Sequence, residues 1–195
     1  MLLAQVFEAV LSASIHLFEI LSILPWLGLI ASCSVLFAPD RSKQRLTSGL
    51  ILVAQVLPFV VLLIALATRS TEVLAVWRAV GEDLPLVYRI SSAWSSREGP
   101  LLMWAAMLAS LSWWCRRRYG SNVKMFPLLD LITCSLFLIS IGMGPFTLST
   151  QALLLQKPAE MNPLLQTPLM AIHPPIIFAF YSMTLLTAQC DFFRA

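Results

Sequence analysis

From Leu46 to Ala67 the chain carries no charged side chain, and Arg45 and Arg69 flank the run. At about 1.5 Å of rise per residue a helix over this run is about 33 Å long, matching a hydrocarbon core about 30 Å thick. Four further stretches are mainly apolar and bounded by charge. With 58% hydrophobic residues, 12% charged residues and a mean hydropathy of +0.82, the composition departs from that of soluble domains, where roughly a quarter of residues are charged. The expected fold is an all-α integral membrane protein, a single membrane domain over residues 1–195. Its five transmembrane helices are placed at about 15–37, 46–67, 100–115, 126–142 and 168–190, the third extending a little at one end. Amphipathic loops at 68–99 and 144–167 join them on one face.

Charge sets the expected orientation. The short loops PDRSKQR and RRRYGSNVK hold Arg41, Lys43, Arg45, Arg116, Arg117, Arg118 and Lys124 against Asp40. By the positive-inside rule both face the cytoplasm or the matrix, so the amino terminus starts outside and the two long loops lie outside. The net charge of +3 is thus a topology signal, and no nucleic-acid partner is expected. Residues 1–14 lead in as an interfacial helix; Glu8, His16 and Glu19 and the lack of a basic leader mark this end as mature chain. His16 and Glu19, three apart, share a helical face and can pair. Cys33, Cys115, Cys134 and Cys190 form no C-x-x-C, and read as small apolar residues. No phosphate-loop, zinc-protease or serine-hydrolase motif is present.

Residues 162–178 read NPLLQTPLMAIHPPIIF, placing His173 in an apolar run directly before Pro174 and Pro175. A proline gives no amide hydrogen to the carbonyl four residues earlier, so two in succession open the backbone beside the imidazole. His173 is therefore expected at a kink. A helix beginning at Pro168 is about 34 Å long and sets His173 about one and a half turns in. An ionisable group at that depth marks a ligand, a proton relay or half of a pair. The competing reading is a neutral imidazole bonded to a carbonyl that the prolines release.

The long loops carry the remaining candidates. In STEVLAVWRAV a short interfacial helix would turn Val73, Leu74, Val76, Trp77 and Val80 toward lipid, with Arg78 snorkelling. Tyr88 and Trp94 suit headgroup depth, as members of an aromatic belt. Arg97 and Glu98 stand at the mouth of the third span, with Trp104 further in; Glu98 either caps that helix or contacts a partner. Asn162 before Pro163 is a helix cap followed by a first-turn proline.

Two blocks together resemble the CcmF-type cytochrome c haem lyases. STEVLAVWRAVGEDLPLVYRISSAWSSREGPLLMW is similar to the family segment leading into its His-Glu-Gly-Ser and Leu-Leu-x-Trp run, through Leu84, Pro85, Tyr88, Trp94, Glu98, Gly99, Leu101, Leu102 and Trp104. MNPLLQTPLMAIHPPIIF is similar to its Asn-Pro-x-Leu-Gln-x-Pro and Ile-His-Pro-Pro run, through Asn162, Pro163, Leu165, Gln166, Pro168, Ile172, His173, Pro174 and Pro175. The resemblance implies a membrane subunit that helps bind haem and attach it to apocytochrome c outside the membrane. It implies that His173 axially holds the iron of a b-type haem, a role suited to a neutral imidazole in an apolar shell. Tyr88, Trp94, Glu98, Trp104, Asn162 and Gln166 would line the haem or partner cavity.

The departures are informative. Arg97 replaces the family histidine before Glu-Gly, and Pro100 its serine. The tryptophan-rich WWD signature and a second transmembrane histidine are lacking. The resemblance therefore implies the amino-terminal part of a split lyase, not catalytic alone, which shares its haem b with the partner fragment carrying the WWD segment. A haem chaperone, apocytochrome c with its thiol-reducing partner, and membrane lipid are the other expected partners. A split lyase points to the mitochondrial inner membrane, with the bacterial inner membrane as the alternative. Two rival functions are a non-catalytic scaffold of the same complex and a small transporter subunit using His173 as a relay.

Overall fold

The charge-free run lies within the longest helix of the molecule. The computed structural model describes residues 20–37, 41–119 and 127–192, and its long elements are all α-helices: α1 (Leu24–Leu36), α2 (Arg41–Thr68), α4 (Leu86–Ser95), α5 (Gly99–Tyr119), α6 (Pro127–Met143) and α8 (Pro168–Phe192). Single turns, α3 (Leu74–Trp77) and α7 (Gln151–Leu154), sit in the two long loops. The expectations for residues 1–14, for the His16–Glu19 pair and for Lys124 lie outside the described residues. Two of the five expected spans, Ser48–Thr68 in α2 and Pro168–Gln189 in α8, combine the length and apolarity to cross a bilayer. Helices α1 and α6 are apolar but shorter, and α5 ends in three arginines.

α1 packs between α2 and α6, α5 packs against α2 and α6, and α8 lies mainly on α5. Leu62, Leu66, Leu102, Leu108, Leu129 and Phe137 form the buried centre. Gly28 lets α1 approach α6 closely, because a Cβ there would come within 2.4 Å of the Phe137 ring. Polar side chains bind at the seams, as expected where interhelical hydrogen bonds supplement apolar packing. Gln55 on α2 donates to the Ser32 hydroxyl (2.9 Å), which donates to the Gly28 carbonyl (2.8 Å). The Gln189 side-chain oxygen on α8 accepts from Leu129 N (3.1 Å), an otherwise free amide in the first turn of α6. Arg116 at the end of α5 pairs with Asp130.

Helix ends follow local chemistry. Gly144, with φ of +62°, closes α6 in the left-handed conformation that a side chain disfavours. A Cβ at Gly99 would lie 1.6 Å from the Ala93 carbonyl oxygen, so the tight passage from α4 into α5 requires glycine.

The two long loops form one unit, which corrects the expectation of an interfacial helix facing lipid. Val73, Val76 and Val80 are fully buried and cluster with Phe146 in the protein core. Leu74 N donates to the Thr147 carbonyl (2.8 Å), Ser149 N to that of Glu72 (2.7 Å) and Ala159 N to that of Trp77 (2.9 Å). Val73 and Leu148 form an isolated antiparallel bridge, and Trp77 Nε1 donates to the Leu153 carbonyl (3.1 Å). The second loop thus supplies the apolar and hydrogen-bonding surface that lipid was expected to provide for the first.

Candidate functional site around His173

Pro168 opens α8, as expected of a residue whose missing amide costs nothing in a first turn. The helix continues through Pro174 and Pro175, the place of the expected kink. Pro174 cannot donate to the carbonyl of Met170, and this carbonyl accepts instead from Trp94 Nε1 on α4 at 2.8 Å. The indole thus replaces the lost helical hydrogen bond. The carbonyl that Pro174 frees is engaged by Trp94, and His173 makes no hydrogen bond or ion pair among the described residues.

Trp104 on α5 packs on Phe178 of α8, with ring centroids 5.8 Å apart. Its Nε1 is buried without an acceptor among the described residues. Ser182, Leu186 and Gln189 continue the same buried face. His173 is exposed, nine residues from Ser182 and so about 180° away around the helix. Leu169 (70% exposed), Ile176 (59%) and Phe180 (65%) share its side. One face of α8 is therefore fastened to the fold by two tryptophans, while the opposite face presents an imidazole on an open apolar stripe.

The other expected site residues hold separate positions. Glu98 is buried directly before α5, with its carboxylate 3.1 Å from the exposed Arg97 guanidinium. The cap on Gly99 N comes from the Ser96 hydroxyl (3.1 Å), so Glu98 is a paired anion and Ser96 performs the capping expected of it. Asn162 caps as expected: its Oδ1 accepts from Leu164 N (3.0 Å) at the 3-10 turn Pro163–Leu165. Gln166 donates to the Met161 carbonyl (3.0 Å) and lines a cavity of about 270 Å³ with Gly81, Asp83, Leu84, Glu160 and Met161. Tyr88 is half-buried, and its carbonyl accepts from the Ser91 and Ser92 hydroxyls. Trp94 and Trp104 thus meet α8, while Tyr88, Glu98, Asn162 and Gln166 are engaged within the loops and helix ends.

Two of the RRRYG arginines, expected as topology anchors, also make internal contacts. Arg116 is drawn into the fold by Asp130, and Arg117 lies 4.9 Å from the centroid of the Trp113 ring. The signal was available, since Asp130 is the lone acid between Glu98 and Glu160.

No family model matches the sequence, and no solved structure matches it. Named relatives do. The chain is 29% identical over 155 residues to the cytochrome c-type biogenesis protein CycK of Rhizobium meliloti, covering 73% of this chain and 22% of that protein. It is 24% identical over 207 aligned positions to the cytochrome c-type biogenesis protein CcmF of Escherichia coli, covering 97% of this chain and 31% of the relative. CcmF of Pseudomonas fluorescens is 32% identical over 105 residues, half of this chain and 16% of that protein. The chain thus spans less than a third of the length of these relatives. The chain is thus similar to cytochrome c-type biogenesis proteins of the CcmF type, over part of their length.

Proposed function

We propose that this chain is a membrane subunit of a cytochrome c haem lyase complex, in which His173 is one axial ligand to the iron of a haem b shared with a partner chain. The observation that carries the reading is the exposed imidazole on the apolar stripe of α8, between Leu169 and Ile176, with no hydrogen bond of its own among the described residues. An uncommitted imidazole on an apolar surface would be free to hold the iron of a haem there. A second ligand and a WWD segment lie outside residues 1–195 and are assigned to the rest of the complex. When bound, the haem supplies an iron centre for electron transfer. The contribution of this chain is to hold the imidazole at a fixed height on a helix that Trp94 and Trp104 brace from behind.

Membrane placement is part of the proposal. Only 28% of the apolar stretch of α2 and 11% of that of α8 are buried among the described residues, which supports cover by lipid or a partner. Five spans, with the loop unit on the outer face beside the haem chaperone, apocytochrome c and its thiol-reducing partner, follow from the positive loops. The relatives quoted are bacterial and support the bacterial inner membrane, the alternative to the mitochondrial location. The complex, and not this chain alone, would form the thioether bonds.

The test is a reduced-minus-oxidised spectrum with a pyridine haemochrome assay on the detergent-purified complex and on its His173→Ala form. Loss of a b-type signal with the subunits still copurifying is expected. Full retention of haem, or a wild-type complex without haem, overturns the ligand role. It would then favour a non-catalytic scaffold, the reading that the Arg97–Glu98 ion pair supports, since a permanently charged and paired group stands where the family has a titrating histidine.

A further inference from the structure

The sulfurs of Cys33 on α1 and Cys134 on α6 lie 3.8 Å apart, although 101 positions separate them in the chain. They are free cysteines, Cys33 half-buried and Cys134 buried. Their helices run antiparallel, since Gly28 meets Phe137 while Cys33 meets Cys134, and glycine at the first contact brings the two backbones close. A disulfide bond is about 2.05 Å long and joins Cβ atoms about 3.8 Å apart, so the two sulfurs need to approach by about 1.8 Å. That movement is within the reach of a side-chain rotation at each residue, provided the helices stay in register.

We propose that Cys33 and Cys134 form a reversible dithiol–disulfide site that ties α1 to α6. Cys33, the more accessible sulfur, attacks a small disulfide R–S–S–R and forms a mixed disulfide Cys33–S–S–R, releasing one R–SH. The Cys134 sulfur then attacks the Cys33 sulfur and expels the second R–SH. Both cysteine thiols are oxidised, one disulfide is reduced to two thiols, and the two protons leave with them. The oxidised form fixes the α1–α6 contact covalently across the whole segment carrying α2 to α5. In the reduced form, the apolar contact around Phe137 holds the pair without a covalent link. The site lies apart from His173 and does not depend on its role.

The experiment uses membranes holding the full chain. They are treated with 4,4′-dithiodipyridine, free thiols are blocked with N-ethylmaleimide, and digested peptides are analysed by mass spectrometry with and without dithiothreitol. The expected result is a peptide linking Cys33 to Cys134, formed at least tenfold faster than any other cysteine pairing and reversed by dithiothreitol. Cys115→Ser keeps this link, and Cys33→Ala leaves Cys134 without an internal partner. Stable thiopyridyl adducts on both cysteines overturn the proposal, as does pairing of either with another cysteine. So does persistence of both thiols under conditions that oxidise the denatured chain.

Discussion

Helices α2 and α8 each have the length and apolarity to cross a bilayer, yet their exposed sides differ. On α2 the open stripe is Leu50, Val53, Leu57, Val60 and Ile64, all aliphatic, while the polar Gln55 turns inward to Ser32. On α8 the inward face takes the polar Ser182 and Gln189, and the open stripe holds His173 among Leu169, Ile176 and Phe180. A surface of aliphatic groups suits lipid tails. An imidazole on such a surface does not, because its ring nitrogens need partners that hydrocarbon lacks. The difference teaches that an apolar helix is diagnosed by what its unpacked side contains and not by its mean hydropathy.

The comparison breaks most visibly if both stripes respond alike to a charge. An aspartate near the middle of either, Leu57→Asp or Ile176→Asp, should oppose insertion by about 2.5 to 3.5 kcal/mol, measured as the inserted fraction in a membrane-integration assay. Among inserted molecules, Ile176→Asp should abolish partner copurification and Leu57→Asp should preserve it. Equal copurification would mean that α8 faces lipid as α2 does.

A double-mutant cycle sharpens the contrast on the packed side of α8. Trp94→Phe leaves the Met170 carbonyl without its donor and should lower stability by about 1 kcal/mol, read from thermal denaturation in detergent. In a Pro174→Ala background the helix amide can reach that carbonyl again, and most of the Trp94→Phe penalty should vanish. An additive cycle would show that the indole is not replacing the proline's missing hydrogen bond.

Smaller effects are expected where a side chain makes no internal bond or keeps an alternative one. His173→Ala should change stability by no more than about 0.5 kcal/mol, since the side chain is exposed, whereas the proposed ligand role requires loss of haem from the complex. Gln55→Leu should be within about 0.5 kcal/mol of neutral, because Ser32 still donates to the Gly28 carbonyl and no buried amide is left unpaired. A melting-temperature drop for His173→Ala as large as that for Trp94→Phe would mean that the imidazole is a packing residue.

Much of the frame was legible where the signal is local. Pro168 at a helix start and Asn162 before a proline act within one turn of the chain, and the structure places them as expected. The basic charges of PDRSKQR and RRRYG, expected in loops, lie instead within the ends of helices α2 and α5. What the sequence left open was the identity of the medium against which an apolar side rests. The periodicity of Val73, Val76 and Val80 identifies a greasy face but not whether lipid or Phe146 meets it. The Trp94–Met170 bond joins positions 76 apart, and no local rule connects an indole to a carbonyl freed by a distant proline. For the candidate site, the sequence put forward His173 and the tryptophans, whereas the division of α8 into a braced face and an open face required packing.

The union of the two long loops also sets an order of assembly. Its cross-loop bonds pair residues 71–77 with residues 147–159, so the first partner waits until α5 and α6 have been made. During synthesis Val73, Val76 and Val80 therefore remain without their final burial for the time taken to translate some seventy further residues, on the order of 4 to 14 s at 5–20 residues per second. In that interval this apolar turn lacks the partner surface that only a chain made past α6 supplies.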